Sequence, residues 1–201
     1  MLISKRDVLL CTGTLALMPM GGAAGQEAEE LDILTKVAGG VHNETVLEAR
    51  DSMVEGRPLG VESLHAAVDE LVKLELLSEA AGEVLKAMIS AILDGTVLDE
   101  IEQEVRRIVD QASQQLDQLA EVIANIALDT ISLARELLSN ESIQNITRAI
   151  ASDVRGGLDG ARAGAKLGAP IPIIGSKGGA IIGAVAGAGS ASVLGYFERT
   201  A

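Results

Sequence analysis

From Val61 onward, apolar residues recur at steps of three and four. Val61, Leu64, Val68 and Leu71 begin the series, and Leu85, Met88 and Ile92 resume it. This spacing predicts one amphipathic helix over 61–93. Asp94-Gly95 marks its end, where a glycine can take the left-handed conformation. Thr96 is the expected N-cap of the next helix, with Asp99 and Glu100 in its positive first turn. That helix is predicted to be the longest. Ile101, Val105, Ile108, Ala112, Leu116, Leu119, Ile123, Ile126, Thr130, Leu133 and Leu137 step 4-3-4-4-3-4-3-4-3-4, a heptad seam with one extra residue. The expected shape is an antiparallel hairpin of two long helices, 61–93 and 97–138. Ser139-Asn140 breaks the pattern, and a third helix starts near Glu141 with Ile143, Ile146, Ile150 and Val154 on its apolar face.

Glycine then takes over the four-residue period. Gly156, Gly160, Gly164 and Gly168 form one strip, and Gly175, Gly179, Gly183 and Gly187 form a second that continues in phase to Gly195. Residues four apart lie nearly above one another on a helix, so each strip is a face without side chains. Each interior glycine costs a helix roughly 0.8–1 kcal/mol relative to alanine, and close approach of another backbone is the usual compensation. Ala169-Pro170-Ile171-Pro172 must end the first glycine helix, because prolines remove donors and disfavour helix before them. Helix, proline turn and helix make a hairpin whose simplest packing is strip to strip. Arg155, Asp159, Arg162 and Lys166 give the first arm a charged face, so that arm is expected to lie at an interface or act as a shield. Gly178 to Phe197 are twenty uncharged residues, bounded by Lys177 and by Glu198-Arg199, with Tyr196 and Phe197 as candidate interfacial anchors. This second arm is the one expected in a bilayer.

Composition sharpens the division. Aromatics are 1% of the chain against 48% hydrophobic residues overall, so the core consists of Leu, Ile, Val and Ala. Residues 26–155 carry 10 basic and 26 acidic side chains, whereas 156–201 carry 4 basic and 2 acidic ones. An acidic body lacks the basic face that nucleic acid requires. Four segments follow: a leader over 1–25, a mixed linker over 26–60, an acidic helical body over 61–155, and a glycine hairpin over 156–201. Within the linker, Glu27–Val37 and Thr45–Met53 are expected to be partly helical. The class is all-α, a long antiparallel helical hairpin or bundle followed by the glycine hairpin.

The leader has Lys5 and Arg6 before an apolar run, Val8 to Met20, and then small residues up to Gly25. That is the order of an export signal, with cleavage expected near Ala24 or Gly25. Ser4-Lys5-Arg6-Asp7-Val8-Leu9-Leu10 resembles the twin-arginine motif, with Lys5 in place of the first arginine and Val8 in place of the phenylalanine. The single cysteine, Cys11, lies inside this leader, so an exported mature chain has no thiol for disulfides or metals.

Catalytic chemistry finds little support. His42 and His65 are the only histidines, and His65 with Asp69, four apart, offers two metal ligands but no third, so the expected role of the two is pairing on a helix surface. Ser and Thr have no histidine at a nucleophile–base spacing. Gly175-Ser-Lys-Gly lacks the phosphate-loop pattern. No catalytic, cofactor-binding or metal-binding residue is assigned, and no cofactor is expected. Sequons begin at Asn43, Asn140 and Asn145.

Gly175-xxx-Gly179-xxx-Gly183-xxx-Gly187 resembles the glycine-zipper segments of membrane-permeabilising peptides, two-peptide bacteriocins among them. More loosely, residues 156–197 are similar to the hydrophobic hairpin of pore-forming colicins. These resemblances imply an exported protein, secreted or periplasmic, that associates with or permeabilises membranes, as a bacteriocin-like toxin or its precursor. The implied partners are a lipid membrane and, through the glycine strips, a second copy. The alternative is a secreted binding or structural bundle in which the strips only pack helices or drive oligomers.

Overall fold

The computed structural model describes residues 59–137, 141–172 and 174–191, all within one compact unit, Lys36–Ala201. The expected leader, its cleavage site, the linker helices, His42, the breaking pair Ser139-Asn140, Gly195, Tyr196 and Phe197 lie outside these residues. Among the described residues every regular element is an α-helix: α1 (Val61–Lys73), α2 (Glu79–Asp94), α3 (Leu98–Gln111), α4 (Gln118–Leu137), α5 (Ile143–Gly168) and α6 (Gly175–Ala191). The protein is all-α.

Both long helices expected from the periodicity are broken, each by capping. The 61–93 helix divides at Leu74–Ser78. Glu75 takes the left-handed conformation at φ 57°. The Leu76 N–H reaches the Leu71 carbonyl at 3.0 Å and the Glu75 N–H reaches Val72 at 2.9 Å, which is a Schellman ending. Leu71 and Leu76, both buried, make the apolar contact that accompanies it. Ser78 then caps α2 by accepting the Ala81 N–H at 3.2 Å. The longer helix divides at Ala112–Asp117. Asp117 Oδ1 accepts the Ala120 N–H at 3.0 Å, capping α4, while its Oδ2 accepts the Ser78 N–H at 2.8 Å. One carboxylate therefore starts α4 and fastens the α1–α2 connection. The irregular 4-4 step at Ile108, Ala112 and Leu116 is the break itself, not an insertion in a continuous seam.

Two further cap expectations change. Val97, not Thr96, is the N-cap of α3, without a side-chain hydrogen bond. Gly95 is extended rather than left-handed (φ −72°, ψ 143°), and glycine is needed there for space. A Cβ on Gly95 would lie 2.7 Å from Ile101 Cδ1 and 3.0 Å from the Ala91 carbonyl. Ser142 caps α5, one residue beyond the start expected near Glu141.

The core lies around α5, which touches α1, α2, α4 and α6. Val154, Leu158 and Ala161 of α5 pack with Leu64 and Val68 of α1, Leu85, Met88 and Ile92 of α2, and Ile123, Ala127 and Ile131 of α4 in one cluster. At the α4–α5 contact, the Thr130 hydroxyl lies 2.9 Å from the buried Asp153 carboxylate. Between α3 and α4, Glu102 accepts from Arg106 at 2.9 Å and pairs with Arg135. Its side chain is 12% exposed. The Arg106 hydrogen bond, with help from Arg135, holds the Glu102 carboxyl below its ordinary value of 4.5. A pKa depressed in the folded state contributes stability above the unfolded value and loses it as pH falls through the folded one. Urea midpoints should therefore decline on acidification below about pH 5, and Glu102→Gln should lower the neutral-pH midpoint while flattening that decline. An unchanged pH profile in the variant would show that other carboxylates carry it.

Candidate functional site

The two glycine strips face one another within this chain. α5 and α6 run antiparallel, and their glycines mesh like offset teeth. Gly160 sits between Gly183 and Gly187, Gly164 between Gly179 and Gly183, Gly168 between Gly175 and Gly179, and Gly187 between Gly156 and Gly160. A Cβ on Gly164 would lie 2.9 Å from both the Gly183 Cα and the Gly179 carbonyl carbon, and closer still to the Gly179 oxygen. Real Cβ atoms do not approach backbone so closely. The hydrogens standing in place of these Cβ atoms point at carbonyl oxygens of the facing helix, a weak Cα–H···O contact repeated along the seam. Side-chain-bearing helices pack with axes about 8–10 Å apart, and backbone contact brings this pair nearer.

The turn that joins the arms also depends on glycine. Ile171 N–H donates to the Gly168 carbonyl at 2.9 Å, and Gly175 N–H donates to the Ile171 carbonyl at 2.9 Å. Gly175 closes the turn at φ 61°, a conformation that costs other residues about 1–2 kcal/mol. Lys166 near the end of α5 and Lys177 near the start of α6 lie on either side of it.

Three of the four residues on the charged face of α5, Arg155, Asp159 and Arg162, are half-buried, while Lys166 is exposed. Arg155 donates to Asp159 at 2.6 Å and to the Ser63 carbonyl of α1 at 3.3 Å. Arg162 donates to both carboxylate oxygens of α1 Glu70, at 3.1 and 3.2 Å. The acidic α1 thus covers the cationic side of α5, which is buried on most of its surface. This arm is the centre of the bundle, contrary to the sequence expectation. The apolar face at 143–158 and the glycines at 156–168 together leave little of the helix for solvent.

α6 is different. It carries one charged residue, Lys177, in 17. Ala180, Ala184 and Ala188 are buried beside the seam, where α6 also meets α4. The opposite side carries Gly178, Ile181, Ile182 and Val185, none of them buried, with Val185 37% exposed. Among the described residues, no helix is long and apolar enough to cross a membrane. The twenty-residue uncharged stretch extends to Phe197, and α6 is described to Ala191.

Two contacts not anticipated from the sequence bear on chemistry. Asp69 does not pair with His65. It binds Lys86 at 2.6 Å, and that hydrogen bond holds its carboxyl below the ordinary range. His65 Nε2 lies 3.0 Å from the Lys86 carbonyl and 3.3 Å from Ser90 Oγ. A carbonyl only accepts, so this contact places the proton on Nε2. That nitrogen then has no lone pair to take a proton from Ser90, as a nucleophile–base dyad requires. Neither contact is visible as a short-range spacing, because His65 and Asp69 meet residues of the next helix. Among the described residues no group of three or more His, Cys, Asp or Glu is placed to hold a metal ion.

These features define an all-α bundle closed by a hairpin whose glycine backbones mesh. The sequence matches no protein-family model, no curated protein and no solved structure.

Proposed function

We propose that this chain is an exported, non-enzymatic helical protein that associates with membranes through its terminal hairpin. The supporting observation is α6, a helix with one charge in 17 residues and an apolar outer side, in a molecule of net charge −13. The hairpin approaches the lipid already paired through its own glycines, so no second copy is needed to cover the strips. The acidic helices act as carrier and shield, α1 neutralising the cationic side of α5. Bacteriocin-like permeabilisation requires the hairpin to leave this body.

A second reading draws on the closed seam itself. Strips fully engaged within one chain, on a helix as buried as α5, also suit a secreted binding or structural bundle. Dye release from liposomes by the full chain separates the two. Leakage supports permeabilisation, and vesicle binding without leakage supports association alone. A protein that neither binds nor leaks vesicles of any composition is the structural bundle.

A further inference from the structure

We infer that the outer side of α6, formed by Gly178, Ile181, Ile182 and Val185, is a docking surface for a zwitterionic lipid bilayer, on which the helix lies flat with the glycine seam closed. This rests on the membrane-associating reading above and names the surface and lipid class.

Three observations lead to it. First, the inner side of α6 is committed: Gly179, Gly183 and Gly187 mesh with α5 and Ala180, Ala184 and Ala188 are buried, which leaves the outer side, half-buried at Gly178, Ile181 and Ile182 and exposed at Val185. Ile181, packed against the core, borders a groove of about 720 Å³ with a mixed lining, Val72, Leu76 and Leu119 beside Lys73, Glu75 and Glu79. Second, the surface is too small for a stable protein partner. Seventeen residues at ~1.5 Å rise and ~10 Å width offer roughly 250 Å², well under the ~800 Å² per partner of a specific interface. A bilayer interface needs no matching shape and takes up an apolar helix face without one. Third, charge selects the lipid. The face brings no cation beyond Lys177 at its start, while α1 to α4 carry most of the acidic side chains among the described residues. An anionic surface repels that body, and a zwitterionic one does not.

Co-sedimentation of the full chain with phosphatidylcholine vesicles tests this, alongside vesicles that also contain phosphatidylglycerol. Binding should be tighter to phosphatidylcholine alone, and added salt should narrow the difference. Ile182→Glu and Val185→Glu should each lower partitioning by about tenfold or more, as expected when an apolar contact becomes a hydrated carboxylate. Helicity and melting temperature should stay as in the parent, because neither side chain is buried. Parent-like binding by both variants would overturn the assignment of the face while leaving membrane association intact. Tighter binding to phosphatidylglycerol vesicles would overturn the lipid class. A parent dimer that either substitution dissociates would make a second copy the occupant. Binding to neither vesicle would remove the membrane reading itself.

Discussion

Gly164→Ala should destabilise the protein, although alanine is the better helix former. Helix propensity alone predicts a gain of about 1 kcal/mol. The new Cβ, however, would stand 2.9 Å from Gly183 Cα and closer to the Gly179 carbonyl oxygen. No rotamer relieves a clash between backbones, so α6 must move away along its whole length. Overpacking of this kind costs typically 1–3 kcal/mol, and a net loss in that range is expected from urea denaturation. Gly183→Leu should go further, separating α6 from α5 and exposing Ala180, Ala184 and Ala188. The control is Gly157, next to the seam but off it. A Cβ there would meet Ile126 Cδ1 at 3.5 Å and the Ala184 carbonyl oxygen at 3.7 Å, ordinary contacts. Gly157→Ala should therefore be neutral or stabilising, by up to ~1 kcal/mol. If Gly164→Ala is the more stable of the two alanine variants, the seam is not tightly meshed.

Leu158→Ala should cost about 2–5 kcal/mol, the range for truncating a fully buried leucine. Leu158 is 1% exposed on α5, the helix that contacts four others. Among the described residues there is no Phe, Tyr or Trp ring to move into the cavity. Leu133→Ala on α4, at 39% exposure, should change stability by no more than ~0.5 kcal/mol. Thermal melts of the two variants side by side decide whether α5 is the central element. Equal losses would place the core elsewhere.

The helical class and the apolar faces of α1, α2 and α5 were legible in the chain because a 3.6-residue period is a local property. The four-residue glycine period likewise marked which faces of 156–168 and 175–187 carry no side chains. The breaks at 74–78 and 112–117 were not legible from periodicity. Leu76, Leu77, Ala112 and Leu116 keep the apolar rhythm across both connections, since a tight turn returns to the same core. Ser78 and Asp117 were the available signals, each a capping residue directly before a helix. The capping role of Asp117 was masked by its place inside an apparent heptad.

The role of the charged strip on α5 was decided at longer range. Arg155, Asp159, Arg162 and Lys166 have the spacing of a solvated or interfacial face, and nothing nearby in sequence argues otherwise. Arg155 and Arg162 meet Ser63 and Glu70, 92 residues earlier, so only the docking of α1 covers that part of the face, and Lys166 stays exposed. His65 and Asp69 show the same limit, their partners being on α2.

Periodicity and composition thus sufficed for helices, for an aliphatic core and for two faces of bare backbone, because each depends on residues within a few turns. Which bare face meets which, and which arm is buried, depended on contacts between distant segments. The meshing of Gly156–Gly168 with Gly175–Gly187 inside one chain came from the turn at Pro170–Gly175. The covering of α5 by α1 left α6 as the arm with an open apolar side. Local spacing carries no information about that choice, since it is made by the charge and shape of helices that are remote in sequence.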